Sequence, residues 1–212
     1  MSAISRKSVS EYTPETPLER KIAEALKAIT LEEGRKKPKL AKIQLQFPKA
    51  AAAFKAMKGA FEKYDVDKDG TIDLEEITNA LKDLGDSDSF AEEEVRGLFD
   101  IADSEGSQSL TFPAFVVFLC LSSLLGHLTE MKQINAAFRC AVDAFEIFDH
   151  KNSSVIVFSE LQDTFSDGSV ATPDILMARM EELDKDGNGY VTFPEFLEAF
   201  MDWVGVDDDD ED

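Results

Sequence analysis

Residues 65–76 read Asp-Val-Asp-Lys-Asp-Gly-Thr-Ile-Asp-Leu-Glu-Glu, and residues 184–195 read Asp-Lys-Asp-Gly-Asn-Gly-Tyr-Val-Thr-Phe-Pro-Glu. Both stretches have oxygen-bearing side chains at positions 1, 3 and 5, glycine at position 6, an apolar residue at position 8 and glutamate at position 12. Ca²⁺ is a hard cation that takes six to eight oxygen ligands, and this spacing supplies them. The two matches predict that the chain binds calcium and folds as helix–loop–helix units.

The loop positions assign a role to each candidate ligand. Side chains at positions 1, 3 and 5, the backbone carbonyl at position 7, a water-mediated contact at position 9 and a bidentate carboxylate at position 12 would surround the ion. The predicted metal ligands are Asp65, Asp67, Asp69, Thr71, Asp73 and Glu76 in the first stretch, and Asp184, Asp186, Asn188, Tyr190, Thr192 and Glu195 in the second. The first set holds five carboxylates and the second three, so we expect calcium binding by the first to weaken more with added salt. An acidic, solvated turn is the alternative interpretation of each stretch.

Two further segments repeat the pattern but have lost ligands. One has Ala114 where the closing carboxylate should be, and the other has Lys151 at position 3 and Ser154 at the turn position. We number the four segments loops 1 to 4 in chain order: residues 65–76, 103–114, 149–160 and 184–195. Loops 1 and 4 are predicted to bind calcium and loop 2 to bind none. We also expect none at loop 3, although weak binding there stays open.

The spacing of the loops groups them into two pairs, loops 1–2 and loops 3–4. Within each pair, the apolar residues at position 8 are predicted to meet in a short antiparallel β-bridge: Ile72 with Leu110, and Ile156 with Val191. Helical patterns flank the loops. The stretch Ala50–Tyr64, for example, places Phe54, Met57 and Phe61 on one face of a predicted helix that leads into loop 1.

We predict four regions along the chain: an N-terminal extension over residues 1–48, a first loop pair over 49–128, a second loop pair over 129–206 and an acidic tail over 207–212. Within the extension, Thr16 and Glu19 form a capping-box pattern that starts a helix over about 17–33. A basic segment follows this helix. Residues 43–47 then alternate between apolar and polar, which predicts an extended strand.

The chain resembles the calmodulin superfamily of EF-hand proteins over roughly Lys49–Val206. The two intact loops carry this resemblance, and the N-terminal extension with the ending Phe-Met-Asp-Trp-Val-Gly resembles plant and algal calmodulin-like proteins. The resemblance implies an all-α fold of two EF-hand lobes, with four helix–loop–helix units of which two are degenerate, and a helical extension. Because loops 2 and 3 depart from the family pattern, we expect about two Ca²⁺ per chain rather than four.

The net charge of −21 is unevenly distributed along the chain. Residues 1–60 hold 13 Lys and Arg against 6 Asp and Glu, so the remainder carries a net charge of −28. An acidic body repels phosphates, which argues against nucleic-acid binding. It suits a target protein that presents a basic amphipathic helix. We expect no obligate homo-oligomer.

Several features predict a cytoplasmic protein. The first fifteen residues are polar, unlike a secretory signal, and Ser2 excludes N-myristoylation. Cys120 and Cys140 lie in apolar helical surroundings and are predicted to be buried, reduced thiols. The apolar stretch Phe112–Leu128 is too short and interrupted to span a bilayer, and we expect it to be covered within the chain.

The basic extension has three interpretations. It is an accessory helix with a constant structure, or an internal ligand that covers a hydrophobic groove, or a contact for an anionic membrane. The accessory helix is the favoured interpretation. The membrane contact is the least favoured, because the basic cluster is short and interrupted by proline.

Taken together, these patterns predict a calcium sensor: calcium opens one or both lobes and exposes a groove for a target helix. A constitutive EF-hand subunit of a larger assembly, with mainly structural calcium, is the alternative, and a passive calcium buffer ranks third. We expect no enzyme, because the sequence shows no nucleophile–base pair, phosphate-binding glycine loop or redox motif.

Overall fold

The computed structural model describes residues 12–32, 35–83, 91–128, 132–165 and 172–206. In chain order, the elements are α1 (Pro17–Thr30), α2 (Leu40–Gln44), α3 (Phe47–Ala56), α4 (Lys58–Tyr64), β1 (Ile72–Asp73), α5 (Leu74–Asp83), α6 (Glu92–Ala102), β2 (Ser109–Leu110), α7 (Phe112–Leu124), α8 (Lys132–Phe148), β3 (Val155–Ile156), α9 (Phe158–Phe165), α10 (Pro173–Leu183), β4 (Val191–Thr192) and α11 (Phe193–Val204). The strands are two residues long, and the other regular elements of the described residues are helices. This confirms the predicted all-α fold of helix–loop–helix units.

The short strands join the loops in pairs. Strand β1 pairs antiparallel with β2, and Ile72 lies opposite Leu110. Strand β3 pairs in the same way with β4, and Ile156 lies opposite Val191. All four of these side chains are buried. Both predicted bridges are therefore confirmed, and each ties one intact loop to one degenerate loop.

The two loop pairs share one hydrophobic core. Helix α3, which leads toward loop 1, packs against α8 and α11 of the second pair, and α7 also contacts α11. Buried side chains from α1 to α11 form a single connected cluster. The predicted boundaries between extension and loop pairs stay predictions, and the core runs across them.

Helix α7 lies at the centre of this core. It contacts α1, α4, α6, α8 and α11, and Phe115, Phe118 and Leu121 are almost completely buried. The prediction that this apolar stretch is covered within the chain is thus confirmed. Cys120 and Cys140 are both buried and free, as expected. Among the described helices, none combines the length and the apolar character needed to cross a membrane.

Helix α1 begins where the capping box predicts. The Glu19 amide donates to Thr16 Oγ1 (3.1 Å) and the Thr16 amide donates to Glu19 Oε2 (3.2 Å). The helix then packs against α6 and α7. Gly97 of α6 permits this approach, since a Cβ atom there would lie 2.7 Å from Leu18 Cδ2. The extension is therefore a packed part of the fold.

Two predicted elements differ from the structure. Residues 43–47 are not a strand: α2 ends at Gln44 and α3 begins at Phe47. Ile43 is buried whereas Leu45 is 80% exposed; a strand would place these two side chains on the same face, whereas a helix places residues two apart on different faces. The helix predicted over Ala50–Tyr64 is interrupted at Met57, because α3 packs against α8 and α11 while α4 packs against α5 and α7.

Candidate metal centres

Loop 1 leads from the end of α4 to the first turn of α5, and its turn is left-handed. Gly70 adopts φ +87°, a region that favours glycine because it lacks a Cβ atom. The Asp65 carboxylate accepts hydrogen bonds from the amides of Asp69 (3.2 Å) and Gly70 (3.1 Å). These bonds curl the loop around its first residue.

The last residue of loop 1 closes over the first. Glu76 Oε1 accepts a hydrogen bond from the Val66 amide (2.7 Å), and Oε2 accepts one from the Asp73 amide (3.0 Å). As a result, Asp65, Asp67 and Glu76 each place a carboxylate oxygen within 4.8 Å of the others. Three carboxylates at this separation repel one another, and a cation between them would remove that repulsion.

The other predicted residues of loop 1 are bonded to neighbours. Asp69 Oδ1 accepts from the Thr71 amide (2.8 Å) and from Thr71 Oγ1 (2.7 Å). Asp73 Oδ1 accepts from the Glu76 amide (2.8 Å), which returns the bond that Glu76 receives. These contacts tie position 5 to position 7 and position 9 to position 12. The ligand roles of Asp69, Thr71 and Asp73 stay predictions.

Loop 4 has the same arrangement between α10 and α11. The Gly189 amide donates to Asp184 Oδ2 (2.8 Å). Glu195 Oε1 accepts from the Lys185 amide (3.0 Å), and its Oε2 accepts from the Thr192 amide (2.8 Å). The cluster of Asp184, Asp186 and Glu195 again places one oxygen of each within 4.8 Å of the others.

The middle of loop 4 is held by Asn188. Its amide donates to Asp186 Oδ1 (2.8 Å), and its Oδ1 accepts from the Tyr190 amide (2.8 Å). The Tyr190 side chain is buried and Thr192 is half-buried at the start of α11. The carbonyl role of Tyr190, the side-chain role of Asn188 and the water-mediated role of Thr192 stay predictions.

The chemistry of loop 4 fits a cation. Asp184 is 5% exposed, and its Oδ1 has no hydrogen-bond partner in the described part of the chain. Burial raises the pKa of Asp184, and the neighbouring Asp186 raises it further. Burial also raises the pKa of Glu195. An orphaned carboxylate oxygen of this kind is costly unless a positive charge faces it.

Loops 2 and 3 keep the left-handed turn, but their described residues form no cluster of three acidic side chains. In loop 2, the amides of Ser107 (3.0 Å) and Gln108 (2.7 Å) donate to Asp103, and Ala114 at position 12 is buried. In the described residues, acidic clusters of three or more close ligand groups occur at loops 1 and 4. The degenerate loops thus preserve backbone shape.

In loop 3, backbone amides donate hydrogen bonds to the carboxylates at positions 1 and 12. Asp149 accepts from the amides of Ser153 and Ser154, both at 2.8 Å. Glu160 accepts from the amides of Lys151 (3.1 Å) and Val157 (3.2 Å). Burial raises the pKa of both carboxyl groups. Position 3, where a ligand should stand, carries the Lys151 ammonium.

Sequence reasoning missed a second apolar surface beside loop 4. Val155, Val157 and Tyr190 are buried on the side of the β3–β4 ribbon that faces away from the main core, and Tyr12 of the extension packs against them. The signal was available: the ribbon carries apolar residues on both faces, so a second segment must cover it.

The sequence of this chain is similar to one protein family and to several known proteins. The EF-hand domain pair family matches residues 54–118 and 141–201. The "probable calcium-binding protein CML21" of Arabidopsis thaliana is 34% identical over 210 residues, which is 94% of this chain and 90% of that protein. The "probable calcium-binding protein CML22" of the same plant is 33% identical over 184 residues, covering 80% of each chain.

Similarity also extends to part of a larger protein. Calcium-dependent protein kinase 7 of Arabidopsis thaliana is 28% identical over 152 residues, which is 69% of this chain and 26% of the kinase. About a quarter of the kinase is therefore similar to this chain, whereas the two calcium-binding relatives are matched along most of their length.

Proposed function

Because this chain belongs to the EF-hand domain pair family, we propose that it is a calmodulin-like calcium sensor that binds about two Ca²⁺ ions, one in each loop pair. The observation that carries the proposal is the pair of acidic clusters, Asp65–Asp67–Glu76 and Asp184–Asp186–Glu195, at the two loops whose sequence is intact. Relatives that are matched along most of their length and named as probable calcium-binding proteins support it.

In this proposal, twelve residues hold the ions. They are Asp65, Asp67, Asp69, Thr71, Asp73 and Glu76 at loop 1, and Asp184, Asp186, Asn188, Tyr190, Thr192 and Glu195 at loop 4. The carboxylates supply charge and the backbone carbonyls at position 7 complete an oxygen shell. The chain's own hydrogen bonds orient both glutamates toward their loops.

Transmission to a target is the second half of the proposal. Ile175 near the start of α10 and Trp203 near the end of α11 are about half exposed, at the ends of these two contacting helices that lie away from loop 4. Exposed apolar side chains on an acidic body suit a basic amphipathic helix of a target protein. We propose that calcium changes the access to this surface. The free, buried thiols of Cys120 and Cys140 support a reducing, cytoplasmic location.

One observation favours a second function, the constitutive EF-hand subunit. Both loop pairs share one core, and its central helix α7 is buried on all sides. A fold packed in this way could present a constant surface to a permanent partner. Calcium-dependent binding to a phenyl resin would support the sensor. Equal retention of one partner in calcium and in chelator would support the subunit. The partial match to a kinase gives no support for an enzyme.

Titration calorimetry tests the number of sites. The parent protein should bind about two Ca²⁺, and Glu76→Gln and Glu195→Gln should each bind about one, because each removes the bidentate ligand of one loop. The double variant should bind none. A stoichiometry of three or four in the parent protein would contradict the proposal, and so would two ions in either single variant.

A further inference from the structure

The two β-ribbons of this chain differ on their outer faces. In the β1–β2 ribbon, the four outward residues, at positions 7 and 9 of each loop, are polar and are exposed or half-buried. In the β3–β4 ribbon, three of the four corresponding residues, Val155, Val157 and Tyr190, are buried and apolar. Since the chain contains both kinds of ribbon, the first serves as an internal reference for the second. The apolar outer face of the β3–β4 ribbon therefore requires a covering segment.

The covering segment is the N-terminal extension. The Tyr12 ring meets the Tyr190 ring edge to face, with ring centroids 5.2 Å apart and an interplanar angle of 61°. Tyr12 also packs against the cluster that contains Val155 and Val157. Edge-to-face aromatic pairs are a favoured geometry with measurable stabilisation. The contact therefore has the form of a specific docking contact.

Loop 3 provides a second anchor for the extension. Ser154 Oγ donates a hydrogen bond to the carbonyl oxygen of Ala23 in α1 (3.0 Å), 131 residues away in the chain. Ser154 stands at the turn position of the loop with φ +70°, where glycine would be strained less. The buried serine has a less favourable backbone conformation at this position than glycine would have. It supplies, however, the hydroxyl that donates to α1.

Tyr190 connects this docking surface to the candidate metal centre. Tyr190 occupies position 7 of loop 4, whose backbone carbonyl is the proposed calcium ligand. Its backbone would therefore face the ion while its side chain contacts Tyr12. We propose that the N-terminal extension is a working part of the loop 4 calcium site, with Tyr12 as a positioning residue, and that calcium binding and docking of the extension strengthen each other. This inference rests on the proposed binding of calcium by loop 4.

The sign of the coupling follows from the conformation in which the extension is docked. With Tyr12 against Tyr190, the carboxylates of Asp184, Asp186 and Glu195 lie within 4.8 Å of one another, which is the arrangement that an ion in loop 4 requires. The ion and the extension thus favour the same loop conformation. Linkage then requires that each increases the affinity of the other. An internal ligand that calcium displaces would give the opposite sign.

Affinity measurements test this sign directly. In a Glu76→Gln background, which leaves loop 4 as the titrated site, Tyr12→Ala should weaken calcium binding about two- to tenfold, the range that an aromatic pair supports. Tyr12→Phe keeps the ring and should match the background. In a Glu195→Gln background, Tyr12→Ala should leave the affinity of loop 1 unchanged, because the outer face of the β1–β2 ribbon is polar.

Hydrogen exchange provides a readout that does not depend on affinity. In the Glu76→Gln background, calcium should slow the exchange of α1 amides, and Tyr12→Ala should reduce this protection. Unchanged or tighter binding by Tyr12→Ala would overturn the proposal, and so would faster exchange of α1 in calcium. If the Glu76→Gln background binds no calcium at all, the proposed function of loop 4 fails instead, which is a separate result.

Discussion

Arg35 forms a buried ion pair with Glu146, with Arg35 Nη2 2.7 Å from Glu146 Oε2 and side-chain exposures of 10% and 4%. The same guanidinium contacts Asp143 and donates to the Ile29 carbonyl oxygen (2.8 Å). It therefore fastens the chain after α1 to α8, the helix that leads into loop 3.

Replacing this arginine should destabilise the fold. Arg35→Met leaves Glu146 buried without its cation, which costs about 3 kcal/mol of unfolding free energy. Urea unfolding in chelator measures the loss. Arg139→Met is the matched control, because Arg139 pairs with Glu32 at 3.0 Å on the surface, with 44% and 62% exposure, and such pairs contribute about 0–1 kcal/mol. Equal effects of both variants would contradict the prediction.

The loss in Arg35→Met should depend on pH. Burial raises the pKa of Glu146, and Arg35 opposes this rise. Without Arg35, the pKa of this carboxyl in the folded protein rises further above its unfolded value, so the folded state takes up a proton as the pH falls. The variant should therefore regain part of its deficit relative to the parent between about pH 7 and about pH 5. A deficit that is constant or grows over this interval would exclude the mechanism.

Salt should separate the two calcium sites. Loop 1 carries five carboxylates and loop 4 three, and Asp67 and Asp69 of loop 1 are exposed. Raising the salt from about 20 mM to about 200 mM shortens the screening length from roughly 20 Å to roughly 7 Å. Calorimetry of Glu195→Gln, which reports loop 1, should show a larger loss of affinity than Glu76→Gln, which reports loop 4. The reverse order would be inconsistent with the charge count.

A single substitution should give loop 3 a measurable site. The loop already has a left-handed turn at Ser154, and Asp149 and Glu160 lie at positions 1 and 12. Lys151→Asp removes an ammonium and adds a carboxylate at position 3. The stoichiometry should rise by about one weak site. Lys151→Met is the matched control, because it removes the ammonium without supplying an oxygen ligand and should add no site. No added site in Lys151→Asp would mean that the loop's own hydrogen bonds outweigh the ion.

Truncation at the centre of α7 should be severe. Phe118 is completely buried, and Phe118→Ala should cost about 3–5 kcal/mol through lost burial and a cavity. Thermal unfolding in chelator measures this cost. Leu45→Ala is the control, because Leu45 is 80% exposed and surface changes usually stay within about 0.5 kcal/mol. Similar effects of the two variants would show that α7 is not the centre of the core.

The elements that the sequence predicted well are those with local chemistry. Loop positions are read residue by residue, so the β-bridge partners Ile72–Leu110 and Ile156–Val191 were identified without knowledge of the packing. The capping box at Thr16 is equally local, because its two bonds span three residues.

Contacts between residues far apart in the chain could not be predicted from the sequence. No local pattern tells that Tyr12 meets Tyr190 or that Ser154 reaches Ala23. In loop 3, the serine was interpreted only as a lost glycine, whereas the structure gives its hydroxyl a partner. The prediction for residues 43–47 failed for a different reason, since alternation over five residues is too short to distinguish a strand from the ends of two helices.

The bond between Ser154 and Ala23 has a consequence for the order of folding. The extension is synthesised before loop 3, and the residue that anchors it is made 131 positions after Ala23. Contacts of such high sequence separation form late, because their loop-closure entropy must be offset by contacts already made. Helix α1 can contact α6 and α7 earlier, but a ribosome-bound fragment ending before loop 3 would hold α1 without this anchor.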